Sequence, residues 1–246
     1  MKRKYAWCAL LLGALLLTGC SNAKTVYETD NLRAVRSTDG GVTTLDVYCT
    51  FAGAELSEAA RGNLKELPVV TEEEVTLSDG QTYGVQTMEQ ESSWHTGLFQ
   101  SWEQLEELLG LSLVQSTAVQ YPADGNHFYV QYSENEGSVA ITCAQTEQDG
   151  MTISPDIFFY LDTQGKQYIT GGMEVSKQVA HETYAPIEGK QVEIFADDST
   201  QAAKILVQEN NILYVWNLTC GMQEAKQFAD TLAWPVPEAT RNITRG

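Results

Sequence analysis

The thiol of Cys20 is the group in this sequence whose neighbours point most directly to a chemical modification. It ends the segment Leu17-Thr18-Gly19-Cys20, which resembles a lipobox. In such a motif the cysteine sulfur receives a diacylglyceryl group, and the small residues before it allow a dedicated peptidase to cleave the chain. The sequence therefore predicts a lipoprotein that begins at Cys20 after processing and carries its lipid on that residue.

The residues ahead of this motif have the composition of an export signal. Three basic residues occupy positions 2–4, and an uncharged apolar run follows at positions 5–17. This run is shorter than the roughly 20 residues that a membrane-spanning helix needs. An ordinary signal peptide with a chance cysteine, or an uncleaved anchor, is the alternative interpretation. We expect residues 1–19 to be removed and the protein to be lipid-anchored on the extracytoplasmic side of the cell membrane.

Residues suited to catalysis or metal binding do not form a known motif. His95, His127 and His181 are far apart in the sequence, without the His-x-x-x-His spacing of a zinc protease. No serine stands in a Gly-x-Ser-x-Gly elbow. The sequence thus predicts no catalytic residue, no metal site, no cofactor and no enzymatic activity. A hydrolase whose site is assembled from distant residues is the alternative.

The charge of the chain restricts its partners. Residues 1–19 hold three of the 15 basic residues and none of the 33 acidic ones, so the processed chain would carry 12 basic and 33 acidic residues, a net charge of −21. A body of this charge is repelled by phosphate backbones. We therefore expect no binding to nucleic acid.

Three further cysteines follow Cys20, namely Cys49, Cys143 and Cys220. An oxidising compartment would permit one disulfide and one free thiol. Each cysteine nevertheless lies within or at the end of an apolar, strand-like pattern, where cysteine usually acts as a small buried hydrophobic residue. The pattern favours three reduced thiols in the core and leaves a disulfide as the alternative.

The first part of the chain divides into a polar segment and a strand-rich segment. Residues 20–40 are mostly polar and predict the lipidated cysteine followed by a flexible tether of about 25 Å. Residues 41–97 predict an N-terminal strand-rich subdomain, in which apolar and polar residues alternate at positions 45–51. A hairpin is expected around Asp79-Gly80, because its turn requires a positive φ.

One short helix is well defined by its ends. Ser101 can cap the first turn, Gln104 can reach back in a capping box, and Gly110 can end the helix. Apolar residues fall on one face: Trp102, Leu105, Leu108 and Leu109. A helix this short must bury that face to be stable. We therefore expect a hydrophobic seam between helix and sheet, with Trp102 and Leu105 as the candidate binding residues.

The remaining segments alternate as strands joined by short turns. The clearest hairpin covers residues 204–208 and 212–218, and a last helix is expected at residues 222–233 before a flexible tail at 235–246. Short connections favour antiparallel pairing. The predicted fold class is α+β, mainly antiparallel sheet with two or three helices packed on one face.

Residues 98–234 also resemble the domain of unknown function numbered family 4367. The similar segments are Phe99–Gly110, Gly189–Ile194, Ile205–Val207, and Asn211–Trp216 with the helix through Leu232. Members of this family are extracytoplasmic domains of Gram-positive lipoproteins and of anti-sigma-factor-like proteins. The resemblance implies an α+β domain with a sensing or carrier-like role and no catalytic residue.

These observations together predict a lipid-anchored cell-envelope protein that acts as a non-catalytic binding or sensing module. Its partners would be the membrane, through Cys20, and a protein or a small apolar ligand at the Trp102–Leu105 seam. A carrier of lipid or exported polypeptide is a second hypothesis.

Overall fold

The computed structural model describes residues 23–69, 72–86, 94–161 and 166–235. Three helices lie in these ranges: α1 (Glu58–Glu66), α2 (Trp102–Leu109) and α3 (Met222–Ala229). The strands are β1 (Lys24–Glu28), β2 (Leu32–Asp39), β3 (Val42–Phe51), β4 (Glu72–Thr76), β5 (Thr82–Gln86), β6 (Trp94–Phe99), β7 (Gln115–Ser116), β8 (Phe128–Ser133), β9 (Ser138–Cys143), β10 (Thr146–Gln148), β11 (Met151–Tyr160), β12 (Lys166–Ile169), β13 (Met173–Glu174), β14 (Ala180–Ile187), β15 (Lys190–Asp197), β16 (Ala202–Glu209), β17 (Ile212–Leu218) and β18 (Leu232–Ala233).

Two sheets contain most of these strands. The larger has nine strands in the order β14-β15-β16-β17-β11-β9-β8-β6, with β10 beside β11. The smaller has five strands in the order β1-β2-β3-β12, with β13 beside β3. The pairings between neighbouring described strands are antiparallel. The prediction of a mainly antiparallel sheet protein with a few helices is confirmed.

The central strands of the nine-stranded sheet are buried on both sides, and alternate residues enter different clusters. In β17, Tyr214 and Trp216 belong to a large cluster that also contains the buried residues of all three helices. Leu213 and Val215, from the same strand, belong to a second cluster. This division follows from the two-residue period of a strand.

The second cluster joins the two sheets. Leu45, Val47 and Cys49 of β3 meet Phe158 and Phe195 of the nine-stranded sheet there. The five-stranded sheet therefore covers one side of the larger sheet. Sequence periodicity along β3 predicted a half-buried strand, and its buried residues are those of the expected parity.

The predicted flexible tether at residues 20–40 is wrong for most of its length. Residues 24–28 and 32–39 form β1 and β2, which pair with each other and with β3. β1 is the edge strand, and most residues of β1 and β2 are exposed or half-buried, so their composition resembles that of a linker. The predicted boundary between residues 97 and 98 also falls inside β6, whose partner is β8 of the large sheet.

Two predicted hairpins and the last predicted helix lie within the described residues. Gly80 has φ +81° in the expected β4–β5 hairpin, and Asn210 and Asn211 have φ 53° and 60° in the β16–β17 hairpin. Both hairpins are confirmed. The last helix ends at Ala229, earlier than expected, because Leu232 and Ala233 pair with β7.

Some predictions lie outside the described residues. These are the signal at 1–19, the motif that ends at Cys20, and the tail after residue 235. Within the described part of the chain, the helices are too short to span a bilayer.

Candidate functional site

The Trp102–Leu105 seam is formed where α2 packs into the large cluster. Ser101 Oγ accepts a hydrogen bond from the Gln104 amide (3.4 Å), and Gly110 ends the helix in the left-handed conformation, as predicted. The Gln104 side chain reaches back as well, but its Oε1 accepts from the amide of Gln100 (2.8 Å), one residue before the cap. Two backbone amides at the start of the helix, those of Gln100 and Gln104, therefore have hydrogen-bond acceptors.

The two predicted seam residues are mostly part of the core. Leu105 is fully buried, and the half-buried Trp102 packs against Phe128 with ring centroids 4.7 Å apart. The accessible surface beside them is a groove of about 430 Å³ between α1, α2 and β6. Leu98, with 39% of its surface exposed, and Phe99 supply apolar lining to that groove. The accessible apolar surface is therefore formed by Leu98 and Phe99, and not by the predicted residues Trp102 and Leu105.

His127 is brought to a serine that lies 49 residues earlier in the chain. Its Nδ1 is 2.6 Å from Ser78 Oγ, and its Nε2 is 2.8 Å from the carbonyl oxygen of Pro122. A carbonyl can only accept, so Nε2 carries the hydrogen and Nδ1 of the neutral ring accepts from the Ser78 hydroxyl. This is the tautomer that a base needs to receive a serine proton.

Access to this pair comes from the serine side. His127 is fully buried, whereas Ser78 is exposed at the tip of the β4–β5 hairpin. Gly125 lies beside the pair. A side chain at this position would crowd Ser78, because a Cβ there would lie 3.0 Å from the Ser78 Cβ. The sequence identified Ser78 as a turn residue only, because no local signal links it to a histidine 49 positions away.

The same hairpin is bound to the sheet by its acidic residue. Asp79 Oδ1 accepts from the Gln81 amide (2.8 Å), and Oδ2 accepts from the Gln145 amide (2.7 Å). The first bond closes the turn and the second joins it to the segment after β9. The position of Ser78 next to His127 is therefore held by backbone contacts on either side.

The other two histidines have separate surroundings. His95 donates through Nδ1 to the Leu67 carbonyl oxygen (2.9 Å). His181 Nε2 is 2.6 Å from a carboxylate oxygen of Glu193, and its ring contacts that of Tyr27 of β1 with centroids 3.6 Å apart and the ring planes tilted by 33°. His181 therefore connects the edges of the two sheets.

A buried polar group lies between the two sheets. Lys204 is 1% exposed, and its Nζ donates to the Gly171 carbonyl oxygen at 2.6 Å. Burial lowers the pKa of Lys204 to about 8, and burial raises the pKa of Asp156 to about 6. The Asn217 amide lies 3.5 Å from the Asp156 carboxylate. Sequence periodicity missed this group because Lys204 lies in a strand that otherwise reads as apolar.

Asp197 and Asp198 have two different structural roles. Burial raises the pKa of Asp197, but hydrogen bonds from Ser176 and Ser199 outweigh it and bring the pKa to about 2. Asp198 Oδ1 accepts from the Met222 amide (2.8 Å) and so satisfies the start of α3, where Gly221 has no side chain to do so.

Cys49, Cys143 and Cys220 are free and buried. Burial raises the pKa of Cys49 and of Cys220 to about 12, so their thiols are un-ionised at neutral pH. Among the described residues, no group of histidine, cysteine and carboxylate side chains has the arrangement of a metal site.

Comparison with models of protein families, with curated proteins and with solved structures finds no match to this chain.

Proposed function

We propose that the protein is a lipid-anchored binding or sensing module of the cell envelope. The observation that carries this proposal is the Leu17–Cys20 motif at the end of an uncharged apolar run. Two acyl chains on one residue give durable attachment to a bilayer. The resemblance of residues 98–234 to family 4367 supports the same assignment.

We also infer that the three helices pack on one face of the nine-stranded sheet. The alternation of residues between two clusters supports this arrangement, since the helical residues share their cluster with only one parity of each central strand. The five-stranded sheet would then cover the opposite face. Such layers leave the groove beside α2 at the outer rim of the helical side.

That groove is the surface we assign to a protein partner. Its apolar lining by Leu98, Phe99 and Leu108 is bordered by Gln104 and Glu107, which lie on α2. Apolar residues at the centre of a patch and polar residues at its rim are the usual composition of an interface. A small apolar ligand, or an exported chain held by a carrier, is the other outcome that the experiments distinguish.

The anchor is tested by replacing Cys20 with serine in the producing cell. We expect the Cys20→Ser protein to be unprocessed or released, and the native protein to start at Cys20 with a diacylglyceryl mass. Mass spectrometry of the purified mature chain measures both. A different first residue, or the absence of acyl mass, would show that the proposal is wrong.

The groove is tested with Leu98→Asp against Ile187→Asp, a matched change at a residue 49% exposed on β14. Cross-linking in intact cells should lose its partner with Leu98→Asp and keep it with Ile187→Asp, while thermal melting of the two variants remains similar. Binding of an apolar dye to the purified native protein, abolished by Leu98→Asp, would instead favour the ligand or carrier role. Equal partner capture by both variants would remove the groove from the proposal.

A second candidate function rests on the Ser78–His127 pair. The exposed position of residue Ser78, its hydrogen bond to His127, and the lack of a side chain at the neighbouring Gly125 together favour a nucleophilic serine. In such a reaction, Ser78 Oγ would bond to the carbonyl carbon of an ester while its proton passes to His127 Nδ1. The same proton would then leave with the alkoxide, and water would hydrolyse the acyl-serine.

Covalent labelling with a fluorophosphonate tests this candidate. The native protein should gain one label on Ser78, and His127→Gln should lose it. Ser78→Ala, at an exposed position, checks that the label resides on this residue, and Ser37→Ala serves as the control serine. If native protein stays unlabelled at high probe concentration, Ser78 serves only to hold the hairpin to His127.

A further inference from the structure

The distance between the predicted lipid and the first strand is short. Strand β1 starts at Lys24, so only residues 21–23 separate it from Cys20. Since an extended chain spans at most about 3.5 Å per residue, the Cα atoms of Cys20 and Lys24 lie within about 14 Å of each other. A domain attached in this way stands directly on its bilayer.

The antiparallel order of the small sheet determines which part faces that bilayer. The start of β1, the end of β2 and the start of β3 lie at one end of the sheet, because Lys24 is opposite Arg36 and Asp39 is opposite Val42. We call this end the anchor corner. Val26 and Val42 there are 38% and 48% exposed, which is unusual for large apolar side chains in this protein.

The anchor corner also holds three cations. Lys24 and Arg36 are opposite each other, and the Arg36 guanidinium donates to the carbonyl oxygen of Lys177, which places the backbone of Lys177 beside Arg36. Asp39, at the end of β2, and Glu174, opposite Thr44 of β3, offset two of these three charges and leave the corner with a net charge of +1. In a processed chain with 12 basic and 33 acidic residues, such a corner is distinct from the rest of the surface.

These cations differ from other surface lysines in their pairing. Three lysines elsewhere form ion pairs with glutamates: Lys65 with Glu134, Lys190 with Glu209, and Lys226 with Glu182. No ion pair joins Lys24, Arg36 or Lys177 to a carboxylate within the ranges that the structure covers. Their charges are therefore available to a partner outside the domain.

We propose that the anchor corner binds the anionic phospholipid headgroups of the membrane that holds Cys20, and so orients the domain with its acidic remainder away from the bilayer. The inference rests on the proposed lipid anchor. Basic residues next to a membrane attachment point are attracted to anionic lipid over about one Debye length, roughly 8 Å in physiological salt. Repulsion of the acidic remainder favours the same orientation.

The experiment uses the lipidated mature protein in vesicles and measures acylation of its lysines by mass spectrometry. In phosphatidylglycerol-rich vesicles Lys24 and Lys177 should react about threefold or more slowly than in phosphatidylcholine vesicles, while Lys65 and Lys190 react equally in both. High salt should remove the protection of Lys177.

Two charge-reversed variants make the test specific. Arg36→Glu together with Lys24→Glu should abolish the protection of Lys177 while the protein stays bound through its lipid. Lys65→Glu with Lys190→Glu, an identical change of net charge elsewhere, should leave that protection intact. Equal protection of Lys177 in both vesicle types, or equal loss with both variants, would overturn the proposal. Failure of the native protein to bind vesicles would instead refute the lipid anchor.

Discussion

The two sides of the nine-stranded sheet are buried in different ways. The side that shares its cluster with the helices contains apolar residues such as Ile205, Tyr214 and Phe159. The side that meets the five-stranded sheet also holds Lys204 and the carboxyl of Asp156. One set of strands therefore faces a large apolar cluster on one side and a buried ammonium group on the other.

The covering element explains this difference. A helix satisfies its own backbone internally, so it can cover a sheet with apolar side chains alone. The small sheet is interrupted between β12 and β13, and the Gly171 carbonyl oxygen in that interruption accepts from Lys204 Nζ. Gly171 is exposed, whereas Lys204 is buried, so the bond gives the buried ammonium group an acceptor that it would otherwise lack. The comparison teaches that an interrupted strand layer can supply the acceptor that a buried lysine of the neighbouring layer requires.

The largest expected effect is the loss of stability when one of two adjacent residues on opposite sides of β11, Phe158 or Phe159, is replaced by alanine. Phe159→Ala should lower the free energy of unfolding by about 3–5 kcal/mol, because it empties a fully buried site in the large cluster. Phe158→Ala should lower it less, since the inter-sheet cluster is smaller and can relax around the gap. Urea unfolding of both variants measures this. A loss at Phe158 equal to that at Phe159 would contradict the contrast between the two sides.

The buried polar group gives the next largest effect. Lys204→Met should lower the free energy of unfolding by about 1–3 kcal/mol at neutral pH, because the charge-assisted hydrogen bond from Lys204 Nζ to the Gly171 carbonyl oxygen is lost. The variant should also raise the pKa of Asp156 above about 6, since burial raises this pKa and the Lys204 charge lowers it. Carbon-detected NMR titration of the carboxyl group measures the shift.

The pH dependence of stability follows from the same two groups. The pKa of Asp156 lies above its ordinary 3.8. Its stabilising contribution to the free energy of unfolding is therefore fully present below pH 3.8 and is lost as the pH rises through about 6. The pKa of Lys204 lies below its ordinary 10.5. Its stabilising contribution to the free energy of unfolding is therefore present above pH 10.5 and is lost as the pH falls through about 8. Lys204→Met with Asp156→Asn should remove both slopes. Slopes that persist in this double variant would have another origin.

Thiol alkylation compares the two sides without any substitution. Cys49 lies in the inter-sheet cluster and Cys143 in the large cluster, and both are buried. We expect Cys49 to be alkylated at least about tenfold faster under native conditions, because the small sheet can open while the large sheet stays folded. Peptide mapping after timed alkylation measures the two rates. Identical rates would show that both sheets open together.

The smallest effects concern single glycines. Gly110→Ala beside the large cluster and Gly41→Ala in the β2–β3 turn should each lower stability by about 1–2 kcal/mol, because both have positive φ. Gly62→Ala, inside α1 with open space around it, should raise stability by about 0.5–1 kcal/mol. Thermal unfolding of the three variants measures whether replacing a glycine of positive φ costs the same stability beside the large cluster and in the five-stranded sheet.

Features that depend on neighbours a few residues apart could be predicted from the sequence. The cap at Ser101, the end at Gly110 and the hairpin turn at Asn210-Asn211 are of this kind. Strand β14 and the pair β1–β2 were not predicted, because their sequences mix polar and apolar residues with little periodicity. The seam was predicted through the apolar face of α2, but periodicity does not distinguish Leu105 in the core from Leu98 at the rim.

The sequence by itself determined the parity of the buried strand residues and the chemistry of the turns, since each depends on the order of adjacent residues. Only the tertiary structure decided that Ser78 meets His127 and that Lys204 meets Gly171. It also decided that Lys24 of β1 and Arg36 of β2 form no ion pair, as far as the described residues extend. The physical reason is that these contacts join strands whose neighbours in space are distant in the chain, and packing between layers selects those neighbours.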